Sequence, residues 1–307
     1  MTLGHTKLSR REFAALAAIA VPGISTLRGA VAARTLGVDA VLADGPTVGV
    51  ITYSFRSIPK ATDIIAALKQ MGIAEIELMS NHCEQLAGAP QVGRDADRAP
   101  LVAWRADAAA NPDKAFGPVK KAFNDAGVDV RFLTYNMSKT TPPEEMDYAF
   151  QMAKGLKVKA ITCSTQVSVA EKIAPFADKH KQIIAFHGHD STDPDEFATP
   201  ASFAKGMAMS KYHWVNLDIG HFTAAGFDAV AYIKEHHDRI TNLHLKDRKK
   251  DHGANVPWGT GETPIKDVLQ LLKTTKWDIP ANVEFEYPGD AMVEVPKCLQ
   301  FCKDALK

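Results

Sequence analysis

The sequence predicts an α/β fold in which eight parallel strands, each followed by a helix, close into a (β/α)₈ TIM barrel. From residue 47 to residue 307, short apolar runs rich in β-branched residues alternate with longer amphipathic runs. Eight such pairs in roughly 260 residues fit the usual size of this barrel. A doubly wound sheet is the alternative, but it needs a glycine-rich phosphate turn after its first strand. Tyr53-Ser54-Phe55-Arg56 follows that strand instead, which favours the barrel.

The strands are predicted from apolar runs with high β propensity. In chain order they are Val48–Tyr53, Ile73–Met79, Val128–Tyr135, Lys159–Ser164, Gln182–His189, two strands within Trp214–Arg248, and Asn282–Tyr287. The helices are predicted from amphipathic runs that begin near proline or end at glycine. They are Pro59–Met71, Phe116–Ala126, Glu144–Leu156, Val169–His180, Pro200–Met209, one helix within Phe222–Arg239, Ile265–Lys273 and Pro296–Ala305. Ser80–Asp113 is too long for a plain connection and is predicted to form a lid over the barrel mouth.

The first forty residues are predicted to be an export signal and linker rather than part of the fold. Ser9-Arg10-Arg11-Glu12-Phe13 is a twin-arginine motif, followed by the apolar run Ala14–Pro22 and the cleavage candidate Ala30-Val31-Ala32. This order is typical of a removable twin-arginine signal, and the apolar run is too short to span a membrane. The protein is therefore predicted to be periplasmic, exported already folded, and without a membrane anchor after signal removal.

The overall composition excludes some function classes. The 307 residues carry a formal net charge of zero, which gives no support for nucleic-acid binding through a basic surface. Four scattered cysteines include no C-x-x-C pair, so a zinc ribbon is not expected. Cys298 and Cys302 are spaced to share a helix face and are predicted to be free thiols. The oligomeric state stays open.

The stretch Trp214–Arg248 carries polar residues inside apolar strands. Asn216 and Asp218 alternate onto one face of the first strand, and Asn242, His244 and Lys246 onto one face of the second. Parallel strands are normally buried on both faces and almost wholly apolar. A carboxylate and an imidazole near the carboxyl ends of consecutive strands therefore indicate the catalytic end of a barrel.

The other predicted strand ends carry groups of the same types. These groups are Glu77, His187, His189, His221, Asp247, Glu284 and Glu286. Several buried carboxylates side by side would repel each other unless a cation neutralises them. Imidazoles with carboxylates suit Mn²⁺, Zn²⁺, Co²⁺ or Fe²⁺. The predicted ligands are His187, Asp218, His244 and Glu284, with Glu286 competing for the position of Glu284. A network of ion pairs with Lys246 and Arg248 is the alternative.

At these residues the sequence resembles the xylose isomerase-like barrels, a family of sugar phosphate isomerases and epimerases. The resemblance covers residues 47–307 and is carried by D-x-x-H (Asp218, His221), H-L-K-D-R (His244–Arg248) and E-F-E-Y (Glu284–Tyr287). In ketose 3-epimerases the metal is held by Glu, Asp, His and Glu from strands five to eight, and both Glu residues move protons. Asp218, His244 and Glu284 match this pattern, and His221 would contact a substrate oxygen. His187 stands where this pattern has its strand-five Glu. With this histidine the sequence resembles an exported subgroup associated with 3-keto-glycoside lyases or hydrolases.

The chemistry implied is proton abstraction next to a carbonyl through an enediolate. The cation is expected to be Mn²⁺, with Zn²⁺, Co²⁺ and Mg²⁺ as alternatives. Glu286, His189 or Glu77 would serve as the base, with Glu284 also moving protons, and Lys246 would stabilise the oxyanion. Predicted substrate contacts are Glu77, His221, Arg248 and Trp258, the last by stacking on a sugar ring. The expected function is a sugar isomerase or epimerase. A 3-keto-glycoside lyase or hydrolase, and a non-catalytic sugar-binding barrel, are the alternatives.

Overall fold

A closed parallel barrel forms the centre of the protein in the computed structural model, which describes residues 45–93 and 97–307. The strands pair in chain order, and the last pairs with the first. They are β1 (Val48–Ile51), β2 (Glu75–Met79), β3 (Asp129–Thr134), β4 (Ala160–Ser164), β5 (Ile183–His187), β6 (His213–Asp218), β7 (Ile240–Leu245) and β8 (Ala281–Val283). This closure confirms the predicted (β/α)₈ barrel and excludes the doubly wound sheet, which stays open.

Helices surround the barrel, following the strands along the chain. In the described residues they are α1 (Ala61–Met71), α2 (Ser80–Leu86), α3 (Ala99–Ala110), α4 (Pro112–Asp125), α5 (Pro143–Leu156), α6 (Val167–His180), α7 (Pro200–Ala208), α8 (Ile219–Ala224), α9 (Ala229–His236), α10 (Ile265–Thr275) and α11 (Ala291–Ala305). The helix predicted within Phe222–Arg239 is α9, and the short helix α8 before it was not predicted. Gly226 adopts a left-handed conformation (φ 89°) after α8, and Asp228 then caps α9 by accepting a hydrogen bond from Ala231 N.

Several strands end earlier than predicted, and at β5 and β8 this places site residues on loops. β5 ends at His187, so His189 lies just beyond it, and β8 ends at Val283 rather than at Tyr287. Glu284 still keeps the register of the sheet, because its backbone N–H donates to Leu245 O of β7 at 2.9 Å. The chain then leaves the barrel wall, which brings Glu286 to the rim.

The predicted lid Ser80–Asp113 is largely helical and packs against the side of the barrel. α3 contacts α5, and Glu84 on α2 binds Arg105 (2.7 Å) and accepts from Tyr148 Oη on α5 (2.9 Å). None of the residues described in this segment lines the cavity at the mouth. The prediction of a lid is therefore wrong for residues 80–93 and 97–113.

Some predictions fall outside the described residues. The twin-arginine motif, the apolar run and the cleavage candidate all precede residue 45. Within the described part of the chain, no helix is both long enough and apolar enough to cross a bilayer. The four cysteines are free and buried, as predicted for Cys298 and Cys302.

Candidate active site

Four buried side chains converge at the carboxyl ends of β5 to β8. His187 and Asp218 are the last residues of β5 and β6, His244 lies near the end of β7, and Glu284 follows β8. The sheet register aligns them, since Asp218 pairs with His244. One ligand atom from each residue lies within 4.8 Å of all the others. The structure thus brings together the four predicted ligands, which we call the tetrad.

The tetrad has the donor set that a divalent cation requires and an unpaired ligand atom. Nδ1 of His187 is buried without a hydrogen-bond partner, whereas the buried Oδ2 of Asp218 meets the Lys246 ammonium at 3.0 Å. Burial raises the pKa of Asp218 to about 7, although the Lys246 ammonium opposes this. This raised pKa means that the positive charge around Asp218 is too small to keep the buried carboxylate fully ionised. A bound divalent cation would supply the missing positive charge. Two imidazoles and two carboxylates fit Mn²⁺, Zn²⁺ or Co²⁺.

Glu77 forms the floor below the tetrad. Its side chain is 0% exposed. Oε1 accepts from Thr134 (2.8 Å) and Thr162 (2.5 Å), and Oε2 accepts from Asn242 (2.7 Å) and Asn282 (3.0 Å). Burial favours its neutral acid, but His244 and the threonine hydroxyls outweigh burial and keep the pKa of Glu77 below its ordinary value. Both oxygens are occupied by neighbouring groups, but Glu77 also borders the cavity, so its roles as base and as substrate contact stay predictions.

Glu77 also orients His244. Glu77 Oε2 lies 2.8 Å from Nε2 of His244, while Nδ1 of the same ring lies 2.8 Å from Glu284 Oε2. Burial alone would lower the pKa of His244, yet the two carboxylates raise it well above its ordinary value. A carboxylate behind one ring nitrogen fixes the tautomer and leaves the other nitrogen for a ligand. Nδ1 of His244 is then the nitrogen that faces the tetrad.

Lys246 provides a buried positive charge among three carboxylates. Its Nζ lies 3.0 Å from Asp218 Oδ2, 3.0 Å from Glu284 Oε2 and 2.5 Å from Glu286 Oε2. Although burial opposes it, these carboxylates raise the pKa of Lys246. Burial also opposes ionisation of Glu284, but Lys246 and His244 hold the pKa of Glu284 well below its ordinary value. Glu286 is the most exposed of the three carboxylates and accepts a second hydrogen bond from Asn255 Nδ2 (3.2 Å).

A second group of imidazoles adjoins the tetrad. His187, His189 and His221 also place one nitrogen each within 4.8 Å of one another, and we call them the histidine triad. Burial lowers the pKa of all three, for His221 to about 3. Asp190 stands behind His221, with its Oδ1 3.3 Å from Nδ1 of the ring. The triad is therefore neutral near pH 7.

Arg248 is held by the protein itself. Its Nε and Nη2 donate to Gly253 O (3.0 and 2.7 Å), Nη1 lies 3.0 Å from Asp190 Oδ1, and the guanidinium also touches His221. These contacts connect Arg248 to Gly253 within the loop that follows β7. Arg248 therefore positions Asp190 and His221, and because it also lines the cavity its role as a substrate contact stays a prediction.

An open cavity of about 480 Å³ lies above the tetrad, a volume within the usual range for small-molecule sites. His189, His221, Arg248 and Glu286 line it, but the predicted stacking residue Trp258 does not. Trp258 packs edge-to-face on Phe301, with ring centroids 5.8 Å apart. The predicted stacking role of Trp258 is thus wrong in this arrangement.

Several lining residues were not predicted from the sequence. Among them are Tyr53, Asn136 and Asn255. Asn136 Oδ1 accepts from Ser164 N (2.9 Å), which leaves its NH₂ end for a ligand. Tyr53 lies two residues beyond the end of β1 and could have been found by its place near a strand end, the criterion that identified the tetrad.

Comparisons with known proteins agree with this architecture. A family model described as xylose isomerase-like TIM barrel matches residues 150–303, half of the chain. The probable 3-DHS dehydratase AsbF of Bacillus anthracis shares 15% identity at a TM-score of 0.61, over 83% of this chain and 97% of that one. A sugar phosphate isomerase/epimerase from Parabacteroides distasonis shares 14% identity at 0.59, over 86% and 96%. The IOLI protein with a binding zinc atom shares 14% at 0.59, over 84% and 96%. No curated protein sequence matches the chain significantly. At these identities the similarity to solved structures is one of fold.

Proposed function

The chain belongs to the xylose isomerase-like TIM-barrel family, and we propose that it is a divalent-cation-dependent enzyme that isomerises or epimerises a sugar. The proposed reaction removes a proton from the carbon next to a carbonyl and passes through an enediolate. Isomerisation returns a proton to the former carbonyl carbon, and epimerisation returns it to the opposite face of the same carbon. The observation that carries this proposal is the buried tetrad at the barrel mouth. The names of two similar folds, an isomerase/epimerase and a dehydratase, support chemistry next to a carbonyl.

The cation would be held by His187, Asp218, His244 and Glu284. We favour Mn²⁺, with Zn²⁺, Co²⁺ and Mg²⁺ as alternatives, because the set mixes nitrogen and oxygen donors. When bound, such a cation polarises a carbonyl and stabilises negative charge that develops on neighbouring oxygens. The zinc atom in the IOLI protein supports cation binding by this fold.

Proton removal requires a side chain that lines the cavity and is unprotonated near pH 7. His189 meets both conditions, since burial lowers its pKa and its ring borders the cavity. Glu286 is the second candidate, with its carboxylate steadied by Lys246 and Asn255. The Lys246 ammonium would also stabilise an oxyanion formed above Glu284.

A 3-keto-glycoside lyase or hydrolase is the second candidate function. His187 stands where a two-carboxylate epimerase would have a second glutamate, so the site is asymmetric around the substrate. In this reaction a base removes the C2 proton beside the C3 carbonyl, and the electron pair forms an enediolate. The C1–O bond then breaks, and the aglycone leaves with that bonding pair and takes up a proton. The product is an unsaturated keto sugar. If water then adds at C1, the product is the free 3-keto sugar.

We further propose that the protein works in the periplasm after twin-arginine export, on a free sugar or keto-glycoside. The twin-arginine motif at Arg10 and Arg11 is the support for this location.

The proposal is tested by product analysis in D₂O. The purified protein, loaded with Mn²⁺, is given a panel of free ketoses and, separately, an aryl 3-keto-glucoside. Deuterium uptake into a ketose with a change of product supports the isomerase or epimerase. Release of the aryl alcohol that is lost with chelator supports the lyase or hydrolase. Sugar binding that is insensitive to chelator, with no deuterium uptake, supports a non-catalytic binding barrel.

Asp218→Asn is the informative variant, and Asp228→Asn is its matched control. Both aspartates cap a helix by accepting a backbone N–H, from His221 for Asp218 and from Ala231 for Asp228. Only Asp218 lies in the tetrad. We expect D218N to lose cation retention and exchange, and D228N to keep both. Full exchange in D218N would contradict the proposed site.

A further inference from the structure

Every N–H group of the Arg248 guanidinium meets an acceptor among the described residues. Nε–H and one Nη2–H donate to Gly253 O (3.0 and 2.7 Å), and the other Nη2–H donates to Asp190 Oδ2 (3.2 Å). One Nη1–H meets Asp190 Oδ1 (3.0 Å), which leaves the other for Nδ1 of His221. Arginine has no acceptor and keeps its proton in proteins. Nδ1 of His221 must therefore accept this hydrogen bond, which requires that it carry no proton.

Asp190 is the competing partner for the same ring nitrogen. Its Oδ1 lies 3.3 Å from Nδ1 of His221 and would accept a proton carried there. Both oxygens of this carboxylate are already bound by the Arg248 fork, and the pair they form is neutral as a whole. A proton on Nδ1 would also point at the Nη1 donor of Arg248. The contact with the arginine therefore decides the protonation of Nδ1.

The second nitrogen of the His221 ring then carries the proton. A neutral imidazole has one N–H, so an unprotonated Nδ1 places it on Nε2. His221 borders the cavity, and Nε2 has no hydrogen-bond partner within the part of the chain that the structure describes. The rings of His189 and His187 lie beside it, with centroids 5.2 and 5.9 Å away. Nε2–H is thus a donor that remains available to a ligand in the cavity.

We propose that Arg248 is a positioning residue that holds neutral His221 as its Nε2–H tautomer, so that His221 donates a hydrogen bond to an acceptor oxygen of the sugar. In this tautomer His221 removes no proton from the substrate through Nε2, which leaves His189 and Glu286 as the candidate bases. A fixed donor at an oxygen where negative charge develops stabilises an enediolate. This catalytic part rests on the proposed function, whereas the tautomer does not.

The first test is nitrogen NMR of the chelator-treated protein labelled with ¹⁵N-histidine. An unprotonated ring nitrogen resonates far downfield of a protonated one, so the two tautomers are distinguished directly. His221→Gln assigns the signals of His221 by their absence. We expect an unprotonated Nδ1 and a protonated Nε2, and we expect added Zn²⁺, which is diamagnetic, to leave the Nε2 proton in place. A proton on Nδ1 in the unaltered protein, or its loss from Nε2 with Zn²⁺, overturns the proposal.

The second test removes the fork. Arg248→Met leaves Asp190 as the remaining partner of Nδ1, so the proton of His221 should move from Nε2 to Nδ1. For a ketose that the unaltered protein turns over, kcat should fall about 100-fold, the lower end of the loss for one oxyanion donor, with a smaller change in KM. Arg248→Lys keeps a charged donor near the ring and should restore part of the Nε2–H signal and part of kcat.

Arg131→Met is the matched control. It removes another arginine that binds two carboxylates, Glu75 at 3.0 Å and Asp278 at 2.5 Å, and Glu75 is the first residue of β2, at the other end of the barrel. R131M should leave the His221 signals and kcat unchanged. An unchanged tautomer in R248M overturns the role of the arginine, and a changed tautomer with full kcat overturns the donor role of His221. If the unaltered protein turns over no sugar, the proposed function fails, while the NMR result still decides the tautomer.

Discussion

Replacing Glu77 with glutamine tests whether the polar floor supports both the fold and the cation site. Glu77 is fully buried and lies 2.8 Å from His244 Nε2. In Glu77→Gln, the amide NH₂ can turn towards the hydroxyls of Thr134 and Thr162, which can accept as well as donate. The amide oxygen then takes the place of Oε2. The substitution therefore removes the charge of the carboxylate and keeps the hydrogen bonds.

The expected loss of stability follows from the buried pair that is broken. Removing one partner of a buried ion pair costs about 3–5 kcal/mol, and the retained hydrogen bonds place E77Q at the lower end, about 3 kcal/mol. Glu77→Leu should cost more, since it leaves Asn242, Asn282 and His244 without an acceptor, at about 1–3 kcal/mol each. Cation affinity should fall about 10- to 100-fold in E77Q, because His244 loses the partner that fixes its tautomer.

The measurements are equilibrium urea unfolding, followed by circular dichroism, and competition for the cation with a chelator. Glu75→Gln is the matched control, since Glu75 lies on the same strand and pairs with Arg131 at 3.0 Å, away from the tetrad. It should leave the cation affinity unchanged. If E77Q unfolds at the same urea concentration as the unaltered protein, the floor does not support the fold. If E77Q loses stability but keeps its cation affinity, Glu77 does not orient His244.

Three further predictions concern other parts of the chain. The Arg131 and Lys159 side chains lower the pKa of Asp278 to about 2, so its contribution to stability is complete above about pH 4 and is lost as the pH falls towards 2; Asp278→Asn should flatten the acid limb of a stability–pH curve, and an unchanged limb would exclude this contribution. Tyr53→Ala should weaken sugar binding measured by calorimetry while Trp258→Phe does not, because only Tyr53 lines the cavity, and equal losses would contradict that assignment. Replacing Arg10 and Arg11 by lysine should retain the protein in the cytoplasmic fraction on cell fractionation, whereas unchanged export would remove the twin-arginine interpretation.

The barrel and the tetrad were predictable because both depend on local patterns. Apolar runs of strand length recur with helices between them, and ligand-type residues such as Asp218 and His244 interrupt those runs at the strand ends. The sheet register then brings equivalent ends together, whatever the details of the loops. A sequence pattern of period two is enough to place such residues on one face.

The role of Glu77 was not predictable, because its partners lie far away along the chain. Asn242 and Asn282 are 165 and 205 residues distant, and each would pass as an ordinary polar residue in its own strand. Only closure of the barrel brings side chains from β3, β4, β7 and β8 onto one carboxylate. The sequence predicts that Glu77 is a base or a substrate contact, and the structure adds a contact that orients His244.

The lid was wrongly predicted for a different reason. Residues 99–110 contain many alanines and show little amphipathic pattern, so the hydrophobic periodicity that marks a helix is weak there. Alanine nevertheless has the highest intrinsic helix propensity.

The prediction for Trp258 failed because an aromatic residue near a strand end can either stack on a ligand or pack on a helix. In the structure Trp258 packs on Phe301 of α11.

The choice between a cation site and a network of ion pairs depends on His187. Lys246 alone could satisfy the charges of Asp218 and Glu284, and His244 is paired by Glu77 and Glu284. His187 would contribute nothing to a network of ion pairs, because burial lowers its pKa and keeps the ring neutral. Its buried Nδ1 has no hydrogen-bond partner, which destabilises the fold unless a ligand binds there. A cation site requires such a nitrogen, deprotonated and unoccupied. The residue that departs from the two-glutamate pattern of the epimerases is therefore the one that most favours a cation in this barrel.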